Sequence, residues 1–132
     1  MAPSSDPPLS VVATQPVTGV TVVSLVGELD TTTAVELTSV LTALSHDGHA
    51  RVVVDASDLT FIDSSGLNAL VTGARALAAT GGRLVVAGAP AHIDRVFDVV
   101  RLSETVPVAA SLEDALRGAE AEGGHQKPDA PG

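Results

Sequence analysis

The chain contains no cysteine, tryptophan or tyrosine, and its only aromatic residues are Phe61 and Phe97. Without cysteine the protein can form neither a disulfide nor a zinc site built on thiolates, and a cysteine nucleophile is excluded. Because aromatics make up only 2% of the residues, stacking of bases or sugars on aromatic rings is not expected. The predicted interior is therefore aliphatic, with Phe61 and Phe97 as its only rings.

Positive charge is also scarce, with seven Lys and Arg against 16 Asp and Glu and a net charge of −9. Nucleic acids and anionic membrane surfaces both require clustered basic residues, so neither is an expected partner. A basic protein surface is allowed. The N-terminal sequence lacks the basic and apolar regions of a signal peptide, and no apolar run reaches the roughly 18 residues that span a bilayer. We therefore expect a cytoplasmic protein, monomeric by default.

The length of 132 residues fits one domain, and 45% hydrophobic residues suffice for a core. Residues 1–8 are rich in Pro and Ser, and residues 120–132 are rich in Gly, Pro and charge. Both ends are predicted to be disordered. The folded domain is predicted to span residues 9–119.

Within these limits, strand and helix patterns alternate in the order β-β-α-β-α-β-α-β-α. "GVTVVSLVGEL" and "RVVVDAS" are dense in β-branched residues, and the second is apolar enough for a central strand buried on both faces. Between them, Ala34, Leu37, Leu41 and Leu44 recur at helical spacing. The alternation predicts an α/β fold with a mixed sheet of 4–5 strands and about four helices. The first two strands could form an antiparallel hairpin, and the later strands should be parallel.

The junction "FIDSSGLNAL" places Asp63, Ser64, Ser65 and Gly66 between a buried strand and a helix. In open α/β sheets, functional groups gather beyond the carboxyl ends of the strands. The start of a helix offers unpaired N–H groups and partial positive charge, which would stabilise a phosphate. Simple N-capping is the alternative, since Ser, Asp and Gly are common caps. One cap suffices, however, and three consecutive candidates favour an additional role.

Two other chemistries fit the sequence less well. A serine hydrolase would need a G-x-S-x-G turn and a histidine base, and the junction has neither flanking glycines nor an evident histidine partner. The segment "HDGH", from His46 to His49, offers two imidazoles and a carboxylate. Its glycine and spacing indicate a solvated turn rather than a helical metal site. No metal, cofactor or catalytic residue is predicted.

Three segments in order resemble the anti-sigma factor antagonists, the stand-alone STAS domains of bacterial partner-switching systems. They are "GELDTTTAVEL", "VVVDASDLTFIDSSGLNAL" and "GGRLVVAGAPAHIDRVFDVVRL". The likeness covers about residues 9–118. It implies a single STAS domain that is a regulatory binding protein rather than an enzyme.

The resemblance also implies a mechanism. A serine-kinase anti-sigma factor would phosphorylate Ser64, with Ser65 as the alternative acceptor. The unphosphorylated protein would bind that kinase and make it release its sigma factor, the phosphorylated protein would not, and a metal-dependent phosphatase would restore binding. A STAS scaffold module in a larger signalling complex, without direct control of a sigma factor, is the alternative.

The expected partner-binding residues lie in the "GELD" turn and at the junction. Asn68 stands where the resembling proteins usually have glycine, and this difference could alter partner choice. Asp30 could instead be the N-cap of the helix that follows it, the one that contains Ala34 and Leu44. Thr33 and Glu36 form a candidate capping box for the same helix. The full expected set is Glu28, Asp30, Thr31, Asp63, Ser64, Ser65, Gly66, Leu67 and Asn68.

Overall fold

The computed structural model describes residues 8–49 and 51–124. It confirms the predicted α/β fold and the order of its elements. The strands are Leu9–Val17 (β1), Val20–Leu29 (β2), Arg51–Ile62 (β3), Arg83–Ala87 (β4) and Val108–Ala109 (β5). The helices are Ala34–His46 (α1), Ser64–Ala79 (α2), Ala91–Val99 (α3) and Leu112–Gly124 (α4), with a short 3-10 helix at Leu102–Glu104.

The five strands form one sheet in the order β1-β2-β3-β4-β5. As the sequence suggested, β1 and β2 are an antiparallel hairpin, and β3, β4 and β5 each extend the sheet in parallel. The turn between β1 and β2 uses Gly19 at a φ of 84°, a left-handed conformation that glycine adopts without strain. The parallel strands end at one edge of the sheet, and this edge carries the junction before α2.

The core lies on both faces of the sheet. The larger cluster fills the face covered by α1, α2 and α3, and it includes Leu37, Leu70 and Phe97. A smaller cluster on the other face packs Val22 and Val53 against Ala115 of α4. The "RVVVDAS" strand is central and buried on both faces, as predicted, because Val52 and Val54 face the larger cluster and Val53 the smaller.

One core prediction is wrong. Phe97 is buried at 2% exposure, but Phe61 is 46% exposed. Between β2 and β3 the register shifts, so that Gly27 faces Leu59 whereas Glu28 faces Phe61. This extra residue in β3 breaks the alternation of inward and outward side chains, and Phe61 points away from the core.

Helical spacing predicts Leu67, Leu70, Val71, Ala74 and Leu77 as the buried stripe of α2, and this prediction is only partly correct. Leu70 and Leu77 are buried, but the other three predicted members are half-buried, and Gly66, Ala69 and Gly73 are buried in their place. A Cβ added at Gly73 would collide with the side chain of Leu41 on α1. The two helices therefore approach too closely for a larger residue at that position.

Helix α4 continues to Gly124, five residues beyond the predicted limit of the domain at residue 119. Residues 1–7 and 125–132 lie outside the described residues, so disorder there stays a prediction. None of the helices in the described part of the chain has the length and apolar character needed to cross a membrane.

Candidate partner-binding site

The site is assembled where β2 and β3 end side by side. Glu28 and Leu29 pair with Phe61 and Ile62 in the parallel register. The N–H of Asp63 then donates to the Leu29 carbonyl over 3.2 Å. These contacts bring the "GELD" turn and the junction together, although they are separated by more than 30 residues in the sequence.

Asp63 is the N-cap of α2. Its backbone is extended, and its Oδ1 accepts hydrogen bonds from the N–H groups of Ser65 at 2.9 Å and Gly66 at 3.2 Å. Asp63 therefore satisfies two of the N–H groups that a helix start leaves unpaired. Capping at this junction is done by the aspartate, so neither serine hydroxyl is needed to cap the helix.

The two serines differ in their surroundings. Ser64 is the first residue of α2 and is exposed. Among the described residues, its hydroxyl has no hydrogen-bond partner. Ser65 is half-buried, and its Oγ lies 3.0 Å from Oγ1 of Thr31 in the neighbouring turn. The Ser64 hydroxyl is therefore open to solvent and is not held by a hydrogen bond within the described chain.

Asp30 organises the "GELD" turn through hydrogen bonds. Its Oδ1 accepts hydrogen bonds from the N–H groups of Thr32 and Thr33, each at 3.0 Å. The Thr33 hydroxyl donates to the Glu28 carbonyl at 2.7 Å. The hydrogen bond from the Thr33 N–H, supported by those from the Thr33 hydroxyl and the Thr32 N–H, lowers the pKa of Asp30, so the group is ionised at neutral pH.

The structure shows which residue caps the start of α1. Helix α1 begins at Ala34 after Thr33, whose side chain does not cap the helix. The predicted capping box between Thr33 and Glu36 is therefore not formed. Asp30 caps the turn that precedes the helix instead, and it stays half-exposed while it does so.

The three residues after the serines occupy different depths. Gly66 is buried, and a Cβ there would lie 2.8 Å from the Leu29 carbonyl oxygen. Leu67 is half-buried against the core, and Asn68 is exposed. Gly66 is thus covered in this structure whereas Asn68 is accessible, and the contact of either residue with a partner stays a prediction.

Two exposed apolar residues beside the junction were missed by sequence reasoning. Val35, in the first turn of α1, is 67% exposed and shares a shallow groove with Ser65 and Asn68. Phe61 lies opposite Glu28 in the sheet. An apolar residue in the first turn of an otherwise amphipathic helix was a visible signal for Val35. No local signal could place Phe61, because the register shift arises from strand pairing.

Seven of the predicted residues, together with Val35 and Phe61, make up what is called here the junction surface: Glu28, Asp30, Thr31, Val35, Phe61, Asp63, Ser64, Ser65 and Asn68. Three carboxylates, two apolar side chains and one unengaged hydroxyl characterise it. In the part of the chain that the structure describes, no histidine makes a hydrogen bond with either serine; His49 contacts Thr21 at 2.7 Å and His92 contacts the Thr60 carbonyl at 2.9 Å. Within residues 8–49 and 51–124, no group of three or more His, Cys, Asp or Glu side chains is placed to hold a metal ion.

Comparison with known proteins agrees with this fold. The family model described as Mlab, STAS domain matches residues 12–118. An anti-sigma-B factor antagonist from Staphylococcus aureus (strain NCTC 8325) is 32% identical over 87 residues, which are 66% of this chain and 81% of the relative. The chain therefore belongs to the STAS-domain family of anti-sigma factor antagonists.

Solved structures show the same architecture. The crystal structure of an anti-sigma factor antagonist from Mycobacterium paratuberculosis superposes with a TM-score of 0.76 at 28% identity, covering 85% of this chain and 94% of that one. The Bacillus cell fate determinant SpoIIAA in its phosphorylated form superposes with a TM-score of 0.65 at 22% identity, covering 83% and 99%. The second likeness shows the fold alone.

Proposed function

We propose that this protein is an anti-sigma factor antagonist that binds a serine-kinase anti-sigma factor through the junction surface and is switched off by phosphorylation at Ser64. The observation that carries the proposal is the position of Ser64. Its hydroxyl is exposed and unengaged among the described residues, at the start of a helix capped by its neighbour. Membership of the antagonist family supplies the class of partner.

The unphosphorylated surface is suited to docking. Phe61 and Val35 offer exposed apolar area, which anchors protein interfaces when it is buried by a partner. Glu28, Asp30 and Asp63 surround it with negative charge, which favours a partner with basic residues at the matching positions. Asn68 extends the surface along the exposed side of α2.

Phosphorylation changes this surface locally. A phosphate on Ser64 adds roughly −1.5 to −2 charges among three carboxylates. The N–H groups at the start of α2 partly stabilise the phosphate within the protein, but a docked partner would bury the dianion against its own surface at a large desolvation cost. The switch therefore needs no refolding of the domain. The phosphorylated form of SpoIIAA supports the idea that this fold accommodates a phosphate.

The structure favours Ser64 over Ser65 as the acceptor. Phosphorylation of Ser65 would require its hydroxyl to leave Thr31, and a phosphate there would have to fit a half-buried position between two turns. We also infer that a phosphatase restores binding, since only removal of the phosphate would return the original surface. Both steps can be followed by the affinity for the partner, measured before phosphorylation, after phosphorylation and after treatment with a phosphatase.

The test measures binding of the purified protein to the serine-kinase anti-sigma factors encoded in its own genome, with calorimetry for affinity and mass spectrometry for phosphosites after addition of ATP. Wild type and Ser64→Ala should bind equally without ATP. Addition of ATP should abolish binding of the wild type and leave Ser64→Ala bound. Ser64→Asp should bind at least tenfold more weakly than wild type.

Ser65→Ala is the matched control, since it removes a neighbouring hydroxyl and should still be phosphorylated at Ser64. Modification of Ser65 in the wild type would contradict the assigned residue and keep the switch. Equal binding by wild type, Ser64→Ala and Ser64→Asp, with and without ATP, would contradict the switch and favour a scaffold module. Failure of every candidate kinase to bind would contradict the proposed function.

A further inference from the structure

A second cavity lies far from the junction surface, at the amino ends of the parallel strands. Arg51 and Arg83 are the first residues of β3 and β4, and they lie side by side in register on these two neighbouring strands. Both line a cavity of about 230 Å³ whose apolar wall includes Val53 and Val85. Helix α4 closes the cavity on the other side with Ala115.

The pairing of two arginines is unusual for this chain. It has seven basic residues in all, and two of them share one small cavity. Like charges directly opposite in a sheet destabilise it unless an anion lies between them. Within the described residues, Arg51 has no ion-pair partner, whereas Arg83 has an interaction of its own within the protein. Arg51 is therefore the candidate anion-binding group, and Arg83 adds positive charge.

The acid that lines the cavity is already engaged. Asp114 lines the cavity, but its Oδ1 accepts a hydrogen bond from Arg117 over 2.6 Å. Arg51 is only half-exposed, at the mouth of a cleft with low-dielectric walls. A guanidinium in that setting binds an oxyanion more strongly than one in open solvent, since its planar fork matches a carboxylate with two parallel hydrogen bonds.

We propose that this cavity binds a small organic carboxylate with a short apolar chain, the carboxylate at Arg51 and the chain against Val53, Val85 and Ala115. Its volume is below the roughly 300–1,000 Å³ of sites for drug-sized ligands. A nucleotide is therefore too large to be enclosed. The site is independent of the proposed switch, because it lies at the opposite ends of the strands from Ser64.

The test is an NMR titration of the ¹⁵N-labelled protein with sodium hexanoate. We expect the amide resonances of Val53, Val85 and Ala115 to shift with saturation, while those of Ser64 and Asn68 stay in place. Arg51→Gln should weaken the affinity at least tenfold, since it removes both the charge and the fork. Arg51→Lys keeps the charge without the fork and should bind with intermediate affinity.

Arg75→Gln is the matched control, because it removes the same charge from an exposed position on α2 and should leave the affinity unchanged. 1-Hexanol has the alkyl chain of hexanoate without its negative charge, and inorganic phosphate has negative charge without an alkyl chain. Both should bind at least tenfold more weakly than hexanoate. The proposal would be overturned if either probe bound as tightly as hexanoate, or if Arg51→Gln bound hexanoate as tightly as wild type. The absence of a saturable shift with hexanoate would also overturn it.

Discussion

At the scale of single residues, the junction is controlled by side-chain oxygens that accept backbone hydrogen bonds. Asp63 caps α2, and Asp30 organises the turn beside it. Each carboxylate is thus both a structural element and part of the charge around Ser64. A substitution of either residue therefore changes stability as well as binding, and only a conservative replacement separates the two effects.

Asp63→Ala should lower the free energy of unfolding by about 1 kcal/mol, the usual cost of losing an N-cap. Asp63→Asn should recover most of this loss, because an asparagine oxygen accepts the same two hydrogen bonds. Urea denaturation followed by circular dichroism measures both values. Asp58→Ala is the control, since this exposed carboxylate makes no hydrogen bond among the described residues and its removal should change stability by less than about 0.5 kcal/mol. An Asp63→Ala variant as stable as wild type would show that the cap does not hold the junction.

At the scale of secondary-structure elements, the site depends on how closely α1 and α2 pack. Gly73 of α2 lies against Leu41 of α1, and Gly66 lies against the end of β2. A glycine inside a helix costs stability relative to alanine, and here that cost is offset by the close approach. The distance between α1 and α2 in turn determines the width of the groove that Val35, Ser65 and Asn68 line.

Gly73→Ala should therefore destabilise the protein by roughly 1–3 kcal/mol, the typical cost of overpacking a core. Gly118→Ala offers a matched comparison in α4, where a new Cβ would have no neighbour within 4 Å. That variant should gain about 0.5–1 kcal/mol from helix propensity alone. Both are measured by thermal and urea unfolding. The packing account would be refuted by a Gly73→Ala variant that is stabilised to the same extent as Gly118→Ala.

At the scale of the whole molecule, the net charge of −9 surrounds the junction surface with a negative field. Such a field accelerates encounters with a basic partner and slows encounters with an acidic one. The same field opposes binding of anions at Arg51, so the affinity for hexanoate should be modest. Charge therefore acts on the rate of partner binding more than on the strength of the final contacts.

Under the proposed function, the association rate constant with the anti-sigma factor should fall about tenfold or more between low and high salt, while the dissociation rate constant changes little. Stopped-flow or surface plasmon resonance over about 30 to 500 mM NaCl gives both constants, a range over which the screening length shortens severalfold. Glu28→Gln should lower the association rate constant at low salt. Glu113→Gln, on α4 across the sheet, should have less effect. An association rate that is independent of salt would argue against electrostatic steering.

The sequence by itself determined the order of the elements, the aliphatic core and the cluster of candidate groups at the junction. These follow from properties that act over a few residues, namely hydrophobic periodicity, β-branched composition and the preferences of helix caps. The predicted antiparallel hairpin and parallel strands followed from the same patterns through the handedness of the crossovers. The switch at Ser64 and the extent of the disordered ends stay predictions.

Only the tertiary structure decided which of these groups is accessible. A register shift between β2 and β3 turns Phe61 to the surface, and the Thr31 hydroxyl engages Ser65 while Ser64 stays exposed. Strand pairing places Arg51 beside Arg83. Each of these contacts joins residues that are distant in the sequence, and their geometry depends on how the strands align and how closely the helices pack. Local preferences do not encode that alignment, because it is fixed by the burial of the whole core.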